Sequence, residues 1–493
     1  MRSILRATAI LSSGSIVSIL FSLASAKVLA VLLGPGGYGY WGLLQSLVGL
    51  SALIAGLGIG TGLVREGAHA LAQEQYIQVA SLRKGAWLLL GASGGLAVLV
   101  LGVFRLPISH LMLGGPEHPE YVVLLGLAVL FTLATGLQTN TLNSYHRVKT
   151  LAKINVVTAV LGSCINIVTV WFLGKQGIVP AIIAGTAASW AASRYFLWRE
   201  VGPAPARPTR RDVLTATWSL LRFGGPFTAS MMVGGGVQLV LPILVLHVLG
   251  KGGVGFYKAA TAISLNYLGF LLTALSYDYY PRASAVRDQP HLLIDLVNKQ
   301  HRIIMLLAVP IILGALAMVP YLVPLVYSRQ FYPTVELLEW QLVGDLFRFS
   351  SWTMSFVVLA RSSSSIYFCT ELTYGLTTFF TSWVGMRLFG LTGLGMAFIA
   401  TYIVYYLVLW FILKRDIRLM WTAENKRLIF AAVAAAMVVR ILPFTPLASS
   451  RTVIALSLAA IVGVRNLYVI SREPGVKAPA NAGVTRKVQP ETY

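Results

Sequence analysis

The sequence predicts an all-α integral membrane protein with fourteen transmembrane helices, arranged as two pseudo-symmetric six-helix lobes followed by two extra C-terminal helices. Three observations support this fold class. Only 11% of the 493 residues are charged, whereas 56% are hydrophobic, and the mean hydropathy is +0.74. Apolar runs long enough to cross a bilayer recur along the whole chain. A glycine-rich hairpin also appears twice, with a constant offset between the copies.

The apolar runs define the elements in order, because a spanning helix needs about 20 mostly apolar residues. The predicted spans are residues 10–33, 40–64, 85–104, 121–141, 154–173, 178–197, 220–249, 257–276, 303–321, 335–360, 366–389, 391–413, 428–443 and 452–468. The last two have the weakest pattern, since each is short and carries an arginine, Arg440 or Arg465.

The orientation follows from the distribution of Lys and Arg, which are enriched in cytoplasmic loops. With the N-terminus inside, 26 basic residues fall in cytoplasmic segments and 5 fall in outer loops. Both termini are therefore predicted to be cytoplasmic. This distribution also explains the net charge of +22 without any nucleic-acid partner.

An internal repeat organises the spans into lobes. Residues 33–41 (LGPGGYGYW) resemble residues 249–257 (LGKGGVGFY), and residues 174–178 resemble residues 390–394 at the same offset of 216. A six-span unit repeats in the same orientation, as in transporters whose halves are related by an axis along the membrane normal. The predicted units are an N-lobe (1–200), a cytoplasmic linker (201–212), a C-lobe (213–416), spans 13 and 14 (417–470) and a disordered tail (471–493).

The loops argue against an enzyme. The longest outer loop has about 16 residues, and the sequence contains neither a GxxxxGK[ST] phosphate loop nor an HExxH metal motif. The two cysteines, Cys164 and Cys369, lie inside apolar spans, which excludes a disulfide framework. No cofactor or metal is predicted, and the default role is to move something across the bilayer.

Basic residues inside the spans suggest the kind of cargo. Lys27, Lys258 and Arg348 lie in spans 1, 8 and 10, and ionisable groups at such positions usually face a cavity or a partner. If they face a central cleft, that cleft favours anions such as a pyrophosphate. Each also has a structural interpretation: the lysines snorkel to the interface, and Arg348 pairs with Asp345 at i, i+3.

The other charged candidates are a carboxylate within span 10 and three residues near the cytoplasmic ends of spans. Asp345 and Glu371 are the candidate carboxylates for coupling to H+ or Na+, although Glu371 also suits a structural pair with Arg361. Arg65 and Arg222 suit a cytoplasmic mouth that gathers anionic headgroups, or simple anchors at the interface.

Polar residues inside the spans fit either helix packing or a wet cavity. The set is Ser12, Ser13, Ser15, Ser18, Ser22 and Ser25 in span 1, Gln138, Thr139 and Asn140 in span 4, Asn155 and Asn166 in span 5, Gln238 in span 7 and Asn266 in span 8. Several aromatic residues could stack on sugar rings or belong to the interfacial belt: Tyr277, Tyr279, Tyr280, Trp340, Trp352 and Tyr374.

Short motifs along residues 5–415 resemble a known family. Residues 26–39 (AKVLAVLLGPGGYG) and 55–61 (AGLGIGT) resemble the opening of the Wzx-type polysaccharide flippases, the O-antigen translocases of the MOP exporter superfamily. The segments 279–282 (YYPR) and 344–346 (GDL), with Ser351 and Trp352, look like the branch that includes the O-antigen and enterobacterial common antigen translocases.

The resemblance implies a flippase of the bacterial inner membrane. Such a protein moves undecaprenyl-pyrophosphate-linked oligosaccharide from the cytoplasmic to the periplasmic leaflet by rocking two MATE-like lobes about a cationic lumen. Lys27 matches one of the family's basic residues in its position along the chain. Lys258 and Arg348 match the family only in carrying a positive charge within the spans. The sequence departs in span 7, which has no basic residue between Phe223 and Leu249. Membrane lipids and polysaccharide polymerase or assembly proteins are the further partners that the resemblance suggests.

Two alternatives remain open. A MATE-like multidrug or cation antiporter shares the expected fold, but its cavity should be acidic rather than basic. A membrane enzyme of polysaccharide assembly would need larger outer loops than this sequence has, and for an assembly scaffold the sequence offers no positive sign.

Overall fold

The computed structural model describes residues 2–115, 118–202, 206–361, 364–442 and 450–472. Within these ranges the chain is built from helices. They are α1 (Arg2–Gly56), α2 (Ile59–Ala72), α3 (Tyr76–Val103), α4 (Arg105–Leu113), α5 (Pro119–Ser144), α6 (Val148–Leu173), α7 (Ile178–Glu200), α8 (Arg210–Thr261), α9 (Gly269–Ala285), α10 (Pro290–Val326), α11 (Thr334–Arg361), α12 (Ser364–Ile417), α13 (Ala423–Ile441) and α14 (Arg451–Arg472). Most of the predicted tail (473–493) lies outside the described residues.

The chain is a multi-pass membrane protein. In the described part, nine continuous helical stretches are long and apolar enough to cross a membrane. Three of them, Val17–Gly56, Val148–Glu200 and Ser365–Ile417, have 40, 53 and 53 residues, which is long enough for two crossings each. Large apolar side chains such as Phe172 and Phe430 are 78% and 77% exposed, as expected for faces that contact lipid.

Four glycines bend the chain at equivalent places in its two halves. Gly34 and Gly250 have φ/ψ of 65°/−179° and 73°/−178°, and Gly174 and Gly390 have 56°/−134° and 58°/−133°. Each pair is 216 residues apart, so the repeat seen in the sequence is present in the backbone. Residues with a side chain rarely adopt these positive φ values, which explains why glycine stands at all four bends.

The helices extend beyond the predicted spans. Helix α3 begins at Tyr76 rather than at residue 85, and α10 begins at Pro290 rather than at residue 303. The hydropathy pattern marks only the part of a helix that contacts the bilayer core, whereas backbone hydrogen bonds continue the helix past it. Helix α4 lies in a segment that was predicted to be a loop.

A π-helical segment (Ala262–Tyr267) interrupts the helical path between α8 and α9. The N–H of Leu268 donates to the carbonyl of Ile263, which is the i to i−5 spacing of a π-helix. Such wide turns free backbone carbonyls for other partners and are frequent at functional sites.

Helices α13 and α14 pack against α10 through small residues. Ala432, Ala436 and Ala459 are buried in the same apolar core as Ile312 and Leu316 of α10. Charged side chains reinforce this contact: Glu339 of α11 lies 3.2 Å from Arg440 of α13 and 2.5 Å from Arg451 of α14. Arg440, which weakened span 13 in the sequence, therefore holds this helix against the C-terminal half, and Arg451 at the start of α14 does the same for that helix.

Candidate functional site

A polar cavity of about 570 Å³ lies among α1, α6 and α8. Its lining includes the polar side chains of Ser22, Ser25, Gln45, Ser46, Ser163, Asn166, Lys258 and Thr261. Helix α1 and α6 belong to the first repeat, whereas the lining part of α8 belongs to the second. Because polar groups at membrane depth need water or a polar ligand, this cavity is the candidate site for a polar cargo.

The two glycine-rich hairpins cross at one end of the cavity, here called the hairpin end. A Cβ atom on Gly39 would overlap the carbonyl oxygen of Lys251, and one on Gly255 would overlap the carbonyl oxygen of Pro35. Only glycine permits this approach of two backbones. Tyr38, which also lines the cavity, packs edge-on against Tyr327 and Phe331 at 5.6 Å between ring centroids.

Lys258 carries the positive charge of the cavity. Its aliphatic chain crosses Gly42, where an added Cβ would lie 2.8 Å from the lysine Cγ, and its Nζ donates to Ser46 Oγ at 2.7 Å. The described residues that line the cavity include no Asp or Glu. A lysine held by a neutral hydroxyl keeps donors for an anionic ligand, since the ammonium group has three.

Lys27 lies outside the cavity lining. Its Nζ donates to the carbonyl of Pro324 at 2.9 Å, near the end of α10. A cation is favoured there because the last carbonyls of a helix carry partial negative charge. Lys27 therefore links α1 of the first repeat to α10 beyond the second hairpin.

Arg348 and Asp345 form a buried pair away from the central cavity. The guanidinium of Arg348 donates to Asp345 at 2.6 Å and to the Ser264 carbonyl at 3.1 Å, and Ser264 Oγ donates to Asp345 at 2.9 Å. Asp345 is fully buried, and Arg348 is 7% exposed. The carbonyl of Ser264 belongs to the π-helical segment, so this pair holds the irregular backbone next to the cavity.

The remaining charged candidates are dispersed. Arg65 is exposed and lies 3.8 Å from Glu66, and Arg222 is exposed on α8. Glu371 is half-buried and accepts a hydrogen bond from the Tyr405 hydroxyl at 3.1 Å, whereas Arg361 binds Asp416 instead. The structure brings none of these three candidates to the central cavity.

Three members of the predicted polar set, Ser22, Ser25 and Asn166, line the cavity. Gln138 instead accepts a hydrogen bond from Ser193 inside the first repeat. The side chains of Ser12, Ser13, Ser15, Gln238, Asn266 and Tyr277 lie outside the described part of the structure.

The residues that the sequence analysis missed include Gln45 and Ser46 of the cavity and Gln341 of α11. Gln341 is 1% exposed and lines a second, smaller pocket beside the cavity. All three are amide or hydroxyl residues within apolar spans, so a scan of every polar residue in the spans would have found them.

Comparisons with known proteins agree with this fold. Residues 28–336 match the model of a family described as "Polysaccharide biosynthesis protein". The chain is 24% identical over 420 residues to the lipid III flippase of Escherichia coli (strain K12), with 82% of this chain and 96% of the relative covered. It is 22% identical over 310 residues to a putative O-antigen transporter of Shigella flexneri, with 61% and 71% covered.

Solved structures show the same architecture. The lipid II flippase MurJ in an inward closed conformation matches with a TM-score of 0.72 at 14% identity, over 94% of this chain and 99% of that one. An inward-facing MATE multidrug resistance transporter of the MOP superfamily matches with a TM-score of 0.65 at 15% identity, over 85% and 99%. The superfamily fold that the motifs implied is confirmed. The family match spans residues 28–336, which is more than half of this chain. The chain therefore belongs to the polysaccharide biosynthesis protein family.

Proposed function

We propose that this protein is a flippase that moves undecaprenyl-pyrophosphate-linked oligosaccharide, an O-antigen or related repeat unit, from the cytoplasmic to the periplasmic leaflet. The observation that carries the proposal is Lys258, an ammonium group in a polar cavity whose described lining has no carboxylate. A diphosphate fits this site by charge. The relatives named as a lipid III flippase and a putative O-antigen transporter support the same cargo class. Both relatives are named for transport rather than catalysis, which supports the same role here.

The architecture behind this function is fourteen spans in the inner membrane, with both termini in the cytoplasm. Residues 1–200 and 213–416 form the two six-helix lobes, residues 201–212 link them, and residues 417–470 add two spans. The four equivalent glycine bends support the parallel repeat, and the excess of Lys and Arg supports the orientation. In this arrangement the hairpin end faces the periplasm, and the described conformation is closed on that side.

Transport then proceeds by alternating access, in which the lobes rock about the central site. The diphosphate binds Lys258, and the polyprenyl tail remains in lipid. Arg65 and Arg222, both exposed on the cytoplasmic side of this topology, attract the anionic headgroup.

Of the two candidate carboxylates, Glu371 is the better one for coupling to H+ or Na+, because Arg348 already neutralises Asp345. Coupling to the membrane potential needs neither carboxylate.

The test replaces Lys258 with Gln and compares it with Lys251→Gln, a change of an exposed lysine in the same helix, α8. Both variants lose one positive charge. We expect Lys258→Gln to lower surface polysaccharide by about tenfold or more, since a hydrogen bond to a charged group contributes about 1.5–3 kcal/mol. Lipid-linked intermediate should accumulate in the cytoplasmic leaflet. Lys251→Gln should behave as wild type, and Lys258→Arg should retain transport.

Wild-type surface polysaccharide in Lys258→Gln, at normal protein levels, would contradict the proposal. The MATE transporters share this fold, so a cation exporter is the alternative function. Similar strains distinguish it from a flippase. A cation exporter predicts that deletion of the protein raises the accumulation of cationic dyes and leaves surface polysaccharide intact. The positive charge of Lys258 argues against that cargo.

A further inference from the structure

A second pocket adjoins the central cavity on the side of the second repeat. It has a volume of about 70 Å³ and shares Thr261 and Leu265 with the lining of the cavity. A cavity holds one water molecule for about 10–15 Å³ of such volume, so this space admits a substituent of about four or five heavy atoms, but not a substituted sugar ring. A cargo in the cavity can therefore extend one of its substituents into this pocket.

The pocket presents hydrogen-bonding groups that lack a full set of partners. Gln341 is 1% exposed, and its side-chain oxygen has no hydrogen-bond partner among the described residues. The hydroxyl oxygens of Tyr374 and Tyr402 are 3.3 Å apart, so one of the two donates to the other. The second hydroxyl then has a proton for another acceptor. A buried acceptor without a donor is costly, which points to a ligand that supplies one.

Apolar and aromatic side chains form another part of the pocket lining. Leu241 and Leu394, which are 7% and 3% exposed, close it on one side, and Tyr257 adds an aromatic face. The pocket thus combines an acceptor, a donor and a small apolar wall.

The internal repeat shows that the fold does not require this polar set. At the offset of 216, Gln341 corresponds to Leu125, Tyr374 to Thr158 and Tyr402 to Thr186. The same packing position is therefore occupied by a leucine in the first repeat, where Leu125 is completely buried. Gln341 is a specific feature of the second repeat and not a consequence of helix packing.

Resting on the function proposed above, we propose that this pocket is a specificity subsite for the acetamido group of an N-acetylated sugar in the cargo. The Gln341 side-chain oxygen accepts the amide N–H, and the hydroxyl pair of Tyr374 and Tyr402 donates to the amide carbonyl. The methyl group packs against Leu241 and Leu394. The sugar ring stays in the central cavity with the diphosphate at Lys258.

Binding of three defined probes to the purified full-length protein in lipid nanodiscs tests this subsite. The probes are a short-chain polyprenyl pyrophosphate with N-acetylglucosamine, the same lipid with glucose, and the lipid without sugar. We expect the wild-type protein to bind the acetamido probe about tenfold more tightly than the glucose probe, because a site that hydrogen-bonds a substrate group discriminates against an analogue without it.

Two variants locate the preference. Gln341→Leu and Tyr402→Phe should each reduce the ratio of the two affinities toward one, while binding of the sugar-free lipid stays at the wild-type level. Tyr406→Phe, which removes a hydroxyl on the same helix next to Trp421, should keep the ratio. If the Gln341→Leu variant does not insert into the membrane, the comparison of Tyr402→Phe with Tyr406→Phe is sufficient to test the subsite.

The possible results separate the two proposals. Equal affinities of the wild-type protein for the two sugar probes, or an unchanged ratio in the two variants, would overturn the subsite and leave the flippase function standing. A wild-type protein that binds none of the three lipids would contradict the proposed function itself.

Discussion

Gly39 and Gly255 occupy equivalent positions in the two hairpins, and each approaches the other hairpin's backbone. Gly39 faces the carbonyl of Lys251, and Gly255 faces the carbonyl of Pro35. Pro35 and Lys251 are themselves 216 residues apart, so the contact is reciprocal. Two copies of one motif thus form a two-fold seal at the hairpin end.

Replacement of Gly39 with Ala should open this seal. The new Cβ would overlap a backbone carbonyl, which cannot rotate away as a flexible side chain can. Overpacking costs about 1–3 kcal/mol, so the open population should rise about fivefold or more. A cysteine introduced at Ser25 of the cavity, in a chain whose Cys164 and Cys369 are replaced by Ser, reports this as faster labelling by a membrane-impermeant maleimide.

Gly36→Ala is the matched control for this experiment. Gly36 lies in the same hairpin, but an added Cβ would meet nothing within 4 Å. It should label at the wild-type rate. Equal labelling of the Gly39 and Gly36 variants would mean that the hairpin crossing does not close the cavity.

The pair of Asp345 and Arg348 should behave as one energetic unit. Removal of one member of a buried ion pair costs about 3–5 kcal/mol, because the other charge remains unpaired, whereas replacement of both by apolar residues costs much less. We expect Asp345→Leu and Arg348→Met each to lower the thermal unfolding midpoint strongly, and the double variant to recover much of the loss. Additive losses in this double-mutant cycle would show that the two residues do not interact.

Glu339 should hold α13 and α14 to the rest of the protein. Its carboxylate is 4% exposed and neutralises both Arg440 and Arg451. Glu339→Gln leaves Arg440 with Glu336, whose side chain is 53% exposed, and leaves Arg451 with the carbonyl of Leu316. We expect faster hydrogen–deuterium exchange in residues 423–441 and 451–472, with α2 unchanged. Glu336→Gln should have little effect, and an equal effect of both substitutions would contradict the prediction.

The start of α8 should respond to acid through Asp212, which lies outside the membrane spans. The pKa of Asp212 is lowered because the side chain and the backbone N–H of Thr209 donate to its carboxylate. Because the pKa is lower in the folded protein than the unfolded value of about 4, the ionised carboxylate stabilises the helix start at pH values above about 4. This contribution is lost as the pH falls through the folded-state pKa. The protection factors of residues 212–214, which correct the exchange rates for their intrinsic pH dependence, should therefore fall in acid, and Asp212→Asn should remove this fall.

Much of the fold could be predicted because the information is local. Apolar runs specify which segments contact the bilayer core, and most residues of every predicted span are helical in the described structure. The repeat was visible because Gly34, Gly174, Gly250 and Gly390 need positive φ values that only glycine adopts easily. Helix ends were less accurate, since the helices continue beyond the apolar core.

The candidate site was harder to predict, because charge and span position do not specify the face of a helix that meets the cavity. Lys27, Lys258 and Arg348 look alike in sequence, yet one binds a helix end, one lines the cavity and one pairs with Asp345. The i, i+3 spacing did indicate the pairing of Arg348. The partner of Lys27 is almost 300 residues away, and no local pattern indicates such a contact.

The hydrogen bond between Lys27 and Pro324 has a consequence for the resting protein. This hydrogen bond uses one of the three ammonium donors and joins α1 to the end of α10, so any movement that separates these two helices must break it. That movement would leave the carbonyl of Pro324 without this donor. The contact between Lys27 and Pro324 therefore favours the arrangement in which α1 and α10 touch.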